Sequence, residues 1–314
     1  DLMFLPDRLP LAKYGDEIMP IMGNAVAAIL PAGYTRLYMP AFKKEDDAQM
    51  LPLYGYTAVV VYKDELYVAA MYTDENDKWD PAHYNTRNLH KLVKRVQKDL
   101  PDNRLVEHLG NCSLTWHCCT AQNLFYRRWE AGIPSSPVCN ANCFGCISLQ
   151  PAECCPSPQS RIKFRPTPKE IAQIGIYHLE TAPDAIISFG QGCEGEPSLA
   201  VDNIVPAIEK IRKKTDKGQI NINTNAGYTE GIKRIVDAGL DSMRVSIISA
   251  IPENYKAYYR GSYELDNVKE SIRYAHEHGV HISLNMLYFP GFNDSESEFK
   301  AWKEFLHENP VNMI

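Results

Sequence analysis

Hydrophobic and polar positions change their period repeatedly after about residue 166. Stretches in which apolar residues recur every three or four positions predict amphipathic helices, and short apolar runs between them predict buried strands. The first helix is predicted to open at Thr167-Pro168-Lys169-Glu170, a capping box with proline at the first helical position. Helix and strand then alternate in units of about thirty residues, which indicates βαβ units and a parallel sheet.

This alternation continues to the end of the chain. Strands are predicted at residues 185–190, 219–224, 241–248, 280–288 and 311–314. Of the helices between them, one has Pro206 in its first turn, one is capped by Asp266, and one begins at a second capping box, Ser295–Glu298. The last helix is predicted to bury Phe299, Trp302, Phe305 and Leu306. A final strand with nothing after it is an incomplete unit, so we expect a truncated C-terminus.

The first half of the chain is less regular. Strands are predicted at residues 25–30, 34–39, 56–62 and 66–72, and an amphipathic helix at residues 88–100. These elements predict a small α+β domain at residues 1–130, followed by an α/β domain at residues 131–314. Right-handed crossovers allow the second domain to be either a barrel or a doubly wound sheet.

Composition narrows the class of protein. The 314 residues are 45% hydrophobic and 23% charged, which is typical of a globular protein. A net charge of -6 argues against a broad nucleic-acid surface, and no apolar run approaches the length of a membrane span. The chain begins at Asp1 rather than Met, so we expect that the natural N-terminus is missing.

Nine cysteines stand at tight spacings in this chain. A disulfide framework is expected in shorter, secreted chains, whereas clustered cysteines in a longer chain favour metal binding or redox chemistry. The sequence therefore predicts a reducing, cytoplasmic compartment.

The central cysteine motif is Cys139, Cys143 and Cys146, with the spacing C-x3-C-x2-C. Closely spaced thiolates are the ligands of iron–sulfur clusters, and three of them leave one iron of a four-iron cluster open to another ligand. Taken alone, the triplet also fits a structural zinc site completed by a nearby His or Cys.

With this motif the sequence resembles the radical S-adenosylmethionine (SAM) superfamily, over residues 134–314. That family carries the same cysteine spacing just after the first strand of a parallel (β/α) barrel. Glu194-Gly195-Glu196-Pro197, one βα unit later, is similar to its Gly-Gly-Glu-Pro element. The resemblance implies a partial TIM-like (β/α) barrel, preceded here by the small α+β domain.

The resemblance also implies cofactors and partners. A 4Fe-4S cluster would bind SAM at its open iron and cleave it reductively to a deoxyadenosyl radical that acts on a substrate. This oxygen-sensitive, anaerobic chemistry would need an electron donor such as a flavodoxin or ferredoxin. The substrate is not identified by the sequence.

Residues around SAM are likewise implied by the resemblance. Glu196, with Gly195 and Pro197, would hold the methionine end of SAM. Asn225, Ser246 and Asn285, at the ends of three successive strands, would be further contacts. Many family members have an aromatic residue beside adenine just before the third cysteine. Here Gly145 occupies that position and Phe144 precedes it, so both are predicted adenine contacts.

The other six cysteines are open to two interpretations. Those flanking the motif are predicted to supply a second iron–sulfur cluster: Cys112, Cys118, Cys119, Cys154 and Cys155. Cys193, inside the Glu-Gly-Glu-Pro loop, is predicted to lie near SAM and to be a hydrogen-atom donor. The alternative for each of them is a small buried hydrophobic residue.

The function predicted from the sequence is therefore that of a radical SAM enzyme. One alternative is a structural or electron-transfer metal or iron–sulfur module without SAM turnover. Another is an activase that generates a radical on a partner enzyme.

Overall fold

A computed structural model describes residues 2–52, 54–150 and 156–314 of the chain. Contacts divide the chain into two compact units, residues 1–84 with 149–158 and residues 85–148 with 159–314. The predicted boundary at residue 130 stays a prediction. Cys154 and Cys155 lie outside the described residues. Among the described helices, none is both long and apolar enough to cross a membrane.

The first unit consists of short antiparallel strands. They are β1 (Leu2–Leu5), β2 (Arg8–Tyr14), β3 (Glu17–Pro20), β4 (Ala25–Ala28), β5 (Tyr34–Arg36), β6 (Phe42–Lys44), β7 (Thr57–Tyr62), β8 (Glu65–Val68) and β9 (Ala70–Tyr72). They form sheets in the orders β1-β4-β7-β8, β3-β2-β6 and β5-β9. A small core of Leu5, Ala25 and Ala27 holds the largest sheet together.

The second unit alternates helices and strands. Its helices are α1 (Leu89–Asp99), α2 (Arg104–Thr115), α3 (Cys119–Tyr126), α4 (Pro168–Thr181), α5 (Val201–Lys214), α6 (Thr229–Asp237), α7 (Pro252–Tyr259), α8 (Leu265–Glu277) and α9 (Glu296–Glu308). Its strands are β10 (Glu130–Gly132), β11 (Ile186–Phe189), β12 (Gln219–Thr224), β13 (Ser242–Ile247) and β14 (His281–Met286).

These five strands are all parallel and lie side by side in chain order. A doubly wound sheet reverses its strand order at a switch point, and this sheet does not. The prediction of an α/β fold with a partial, TIM-like barrel is confirmed, and the sheet is not closed. The strand predicted at residues 311–314 is reduced to one parallel bridge between Met313 and Ser283.

The two faces of this sheet differ in polarity. One face is apolar and fully buried, with Ile222, Val245 and Ile282 as examples. The other face carries Asn221 and Ser242 side by side, because their strands pair in that register. Since successive strand residues point to opposite faces, this polar face is continuous along the strands.

The capping prediction at the first helix of the βα units is confirmed. Thr167 Oγ1 accepts from the Glu170 N–H at 3.3 Å, and the Glu170 carboxylate accepts from the Thr167 N–H at 2.7 Å. The same carboxylate accepts from Arg104 Nη2 at 2.7 Å, so it also ties α2 to α4. The Glu170 carboxylate therefore has a second role, as the partner of Arg104, which the capping motif alone does not reveal.

Three details of the predicted helices are wrong. Pro206 lies inside α5 rather than in its first turn, because the helix already begins at Val201. Asp266 is in the first turn of α8, which Glu264 caps. Phe299 is 66% exposed because α9 buries the stripe formed by Glu298, Trp302 and Phe305.

Candidate functional site

A cavity of about 570 Å³ opens at the carboxyl ends of the parallel strands. Active sites of barrels lie at this end, where the connecting loops converge. Several residues predicted for the site line the cavity: Cys139, Cys143, Gly145, Cys146, Gly195, Glu196, Asn225, Ser246 and Asn285. The three polar residues predicted at strand ends, Asn225, Ser246 and Asn285, therefore line the same cavity as the three thiols.

The cysteine loop follows β10 and is held by the end of α7. The N–H of Asn142 donates to the Tyr259 carbonyl at 2.9 Å, and the N–H of Phe144 donates to the Tyr258 carbonyl at 3.3 Å. Arg260 Nε donates to the Asn142 carbonyl at 2.8 Å. Helix α7 was not among the helices predicted from the sequence. Its contacts run through backbone carbonyls, which every residue type carries.

The three thiols are half-buried among one another. Burial raises the pKa of the Cys143 thiol to about 12, and the neighbouring Cys139 and Cys146 raise it further in the same direction. Arg161 Nη2 lies 3.7 Å from Cys146 Sγ and also donates to Ser148 Oγ at 2.8 Å. Burial therefore favours the protonated form of Cys143, and a bound cation would displace that proton.

The spacing of the thiols bears on the zinc alternative. Two sulfur atoms bound to one zinc at about 2.3 Å lie at most about 4.6 Å apart. Over the part of the chain that the structure describes, the only three potential ligand atoms all within 4.8 Å of one another belong to Asp77, Asp80 and His83, in the first unit. The three cysteine sulfurs do not all lie within that distance of one another, so they do not form a ready-made single-ion site.

Glu196 clamps the loop after β11 to the loop after β12. Its buried carboxylate accepts from the N–H of Ser198 at 3.0 Å and the N–H of Asn225 at 2.8 Å, and also from the Thr224 hydroxyl. Burial raises the pKa of this carboxyl, and these donors oppose the shift. Asn225 Nδ2 donates in turn to Asn140 Oδ1 at 2.7 Å, inside the cysteine loop.

Gly195 lies in direct backbone contact with the cysteine loop. Its N–H donates to the Ser136 carbonyl at 2.7 Å, and the next N–H, of Glu196, donates to the Val138 carbonyl at 2.8 Å. A Cβ on Gly195 would lie 2.0 Å from the Val138 oxygen. Only glycine permits this approach, which fixes the backbone that enters Cys139.

Glu194 stands where the family's element often has its first glycine. Its fully buried carboxylate accepts from four backbone N–H groups, those of Ser135, Ser136, Gly190 and Gln191, at 2.7–2.9 Å. Burial raises the pKa of Glu194 to about 7 against the lowering effect of these donors. The glutamate in place of glycine therefore adds hydrogen bonds that connect the segment after β10 to the loop after β11.

Other predicted site residues lie outside this cavity. The Phe144 ring is 64% exposed, with the Arg260 guanidinium 4.1 Å from its centroid. Pro197 is buried as the first residue of a short 3-10 helix. Cys193 lines a different cavity, and Cys119 is exposed. The roles predicted for these residues stay predictions.

A family comparison agrees with the geometry. Residues 133–302, more than half of the chain, match the family model of the radical SAM superfamily. The chain belongs to the radical SAM superfamily, a class of enzymes that use an iron–sulfur cluster and SAM.

Several curated relatives match parts of the chain. An uncharacterized protein of Methanocaldococcus jannaschii is 32% identical over 57% of this chain and 56% of its own length. A probable dual-specificity RNA methyltransferase RlmN of Chlorobium luteolum is 36% identical over 34% of this chain and 32% of its own length. A GTP 3',8-cyclase of Limosilactobacillus fermentum is 29% identical over 50% of this chain and 45% of its own length. The chain thus spans between about a third and just over half of these relatives.

Proposed function

We propose that the protein cleaves SAM reductively at a 4Fe-4S cluster bound by Cys139, Cys143 and Cys146, and directs the resulting deoxyadenosyl radical to a substrate that is not yet identified. One observation carries this proposal: the three thiols and the polar strand ends face the same cavity of about 570 Å³. That volume lies within the range of small-molecule sites, about 300–1,000 Å³. When bound, the cluster would supply the electron that breaks a carbon–sulfur bond of SAM.

Glu196 has a positioning role in this proposal. All the donors around its carboxylate come from the protein itself, and they hold Asn225 and the loop after β11 in place. Glu196 therefore shapes the methionine end of the SAM site through Gly195 and Asn225. The Gly195 approach to Val138 supports the fit, because it places this loop directly against the cluster loop.

Arg244, Ser246 and Asn285 are the groups that we assign to SAM itself. All three line the cavity, and within the described residues their side chains form no hydrogen bond or ion pair. The other cationic side chain in the lining, Arg161, is already engaged by Ser148 and Cys146. Arg244 therefore pairs with the SAM carboxylate, since an unpartnered guanidinium suits a carboxylate in a fork geometry.

Electron supply and compartment follow from the same site. A flavodoxin or ferredoxin would deliver its electron at the cluster loop, where Phe144 and Ile147 are both more than half exposed. All seven cysteines that the structure describes are free thiols, which supports a reducing cytoplasm.

The test is formation of deoxyadenosine after anaerobic reconstitution with iron and sulfide, reduction by dithionite and addition of SAM. Cys143→Ala should abolish the product, and Cys119→Ala, which removes an exposed thiol outside the cavity, should not. A wild-type protein that holds four irons but binds no SAM and yields no deoxyadenosine would overturn the proposal in favour of an electron-transfer or structural module.

A further inference from the structure

A second cavity of about 180 Å³ in the same unit is lined by three thiols. Cys112 lies in the last turn of α2, and Cys118 immediately precedes α3. Cys193 comes from the loop after β11, far away in the sequence. Cysteines from three separate segments therefore line one cavity.

Ordinary packing does not account for this arrangement. Buried cysteines usually fill space as small hydrophobic side chains, and protein interiors are packed as densely as organic crystals. Here the thiols border an open space of about 180 Å³. A single water needs a volume of only about 10–15 Å³. The cavity is thus large enough for a group of several atoms.

The chemistry of the lining selects the kind of group. Among the described residues, the lining contains no Asp, Glu, His, Lys or Arg. A hard cation would find no carboxylate there, and an anion would find no positive partner. Thiolate sulfur is a soft ligand that suits iron–sulfur clusters, zinc and copper(I).

The distances between the three sulfurs bear on the choice between a cluster and a single metal ion. Within the described parts of the chain, Cys112, Cys118 and Cys193 are not a set whose sulfurs all lie within 4.8 Å. Sulfurs that share one zinc must be closer than about 4.6 Å, as noted for the first triplet. In neither triplet do all three sulfurs lie that close together, so neither forms a ready-made single-ion site.

We propose that Cys112, Cys118 and Cys193 hold a second iron–sulfur cluster. Gln191 and Gly192 line both cavities, so this cluster would lie one loop away from the first. His108 Nε2 lies 3.7 Å from Cys112 Sγ, and hydrogen bonds to sulfur are one of the features that tune a cluster's potential.

This site differs from the one predicted from the flanking cysteines. Cys193 joins Cys112 and Cys118, while Cys119 is exposed and outside the cavity lining. Cys154 and Cys155 lie outside the described residues and are not part of the proposal.

The test uses the full chain with the first cluster site removed by Cys139→Ala, Cys143→Ala and Cys146→Ala. After anaerobic reconstitution, this triple variant should keep roughly half of the wild-type iron and acid-labile sulfide, and a reduced-cluster EPR signal. Adding Cys193→Ala should remove both iron and sulfide. Adding Cys119→Ala instead should leave them unchanged, which makes it the matched control.

Two results would overturn the proposal. The first is a triple variant with wild-type far-UV circular dichroism but neither iron nor sulfide. The second is a triple variant that takes up one equivalent of zinc and no sulfide. Should Cys193→Ala fail to fold in that background, His108→Ala, which leaves all three thiols in place, must instead shift the EPR signal of the triple variant. An unchanged signal would count against the site. None of these measurements uses SAM, so they are independent of the proposed function.

Discussion

Replacing Gly195 with alanine tests the contact between the loop after β11 and the cysteine loop. The added Cβ would lie 2.0 Å from the Val138 carbonyl oxygen, 2.4 Å from its carbon and 3.1 Å from the Cys139 nitrogen. Cβ contacts below 3.0 Å essentially do not occur, and the atoms in the way are backbone atoms that cannot rotate aside. The two loops must therefore separate by about 1 Å or more.

That separation has a cost that the hydrogen bonds allow us to bound. It breaks the bonds from the Gly195 N–H to Ser136 and from the Glu196 N–H to Val138, which are 2.7 and 2.8 Å long. A buried donor left without a partner costs about 1–3 kcal/mol, so we expect a loss of about 2–6 kcal/mol in the free energy of unfolding. Cys139 moves with Val138, so the variant should also retain less iron after reconstitution.

Urea unfolding of the iron-free protein measures the first effect, and iron per chain measures the second. Gly55→Ala is the control, because a Cβ there meets nothing within 4 Å and its effect should stay within about 0.5 kcal/mol. A Gly195→Ala protein with wild-type iron content and stability within about 1 kcal/mol would refute the close approach of the two loops.

Three further predictions concern single side chains. Arg244→Met should weaken SAM binding about 10-fold or more, measured by calorimetry on the reconstituted protein, and unchanged affinity would remove Arg244 from the SAM site. Arg104→Met should lower the free energy of unfolding at pH 7 by about 1–3 kcal/mol. Arg104 holds the pKa of Glu170 at about 2, so this loss should shrink as the pH falls from 4.5 toward 2 in urea unfolding, and a pH-independent loss would contradict it. Burial lowers the pKa of His178 from 6.5 to about 4. The folded protein therefore holds the imidazole neutral, and its free energy of unfolding is highest above pH 6.5 and falls as the pH drops from 6.5 to about 4. Wild type should therefore lose about 1.4 kcal/mol per pH unit in that window relative to His178→Leu, and parallel pH profiles would contradict the burial of a neutral imidazole.

The second half of the fold was readable in the sequence because its signals are local and repeated. The strand predicted at residues 219–224 has the bounds of β12, since apolar and polar residues alternate there between clear breaks. The strands of the first unit were predicted less completely, for a physical reason. All four residues of β3 are exposed, so no buried face imposes an alternation on them, and the strand forms through backbone pairing with β2.

The site was predictable where chemistry depends on residue type and not where it depends on the backbone. Cysteine spacing identified the triplet, because thiolates are the usual ligands of iron–sulfur clusters. The carbonyls of Tyr258 and Tyr259 that hold the cysteine loop left no signal in the sequence. Glu194 was visible as a departure from the family's glycine, but two of its four backbone donors, Ser135 and Ser136, are almost sixty residues away in the sequence and meet it only after folding.

The polar face of the parallel sheet divides into two layers with different purposes. In the lower layer, Glu130, Ser188, Asn221 and Ser242 hydrogen-bond to one another across four adjacent strands. Polar groups satisfied in this way can be buried at little net cost, so this layer forms a stable floor.

Further toward the carboxyl ends of the strands, the same face carries Arg244, two residues beyond Ser242, and then Ser246 beside Asn285. Within the described residues these side chains have no protein partner, although they line the cavity. Arg244 and Asn285 are exposed to solvent and Ser246 is half-buried, so water solvates these groups until a ligand takes its place. The contrast between a self-satisfied floor and polar groups that are open to the cavity supports the proposal that these groups bind SAM, and a loss of SAM affinity in Arg244→Met is its direct test.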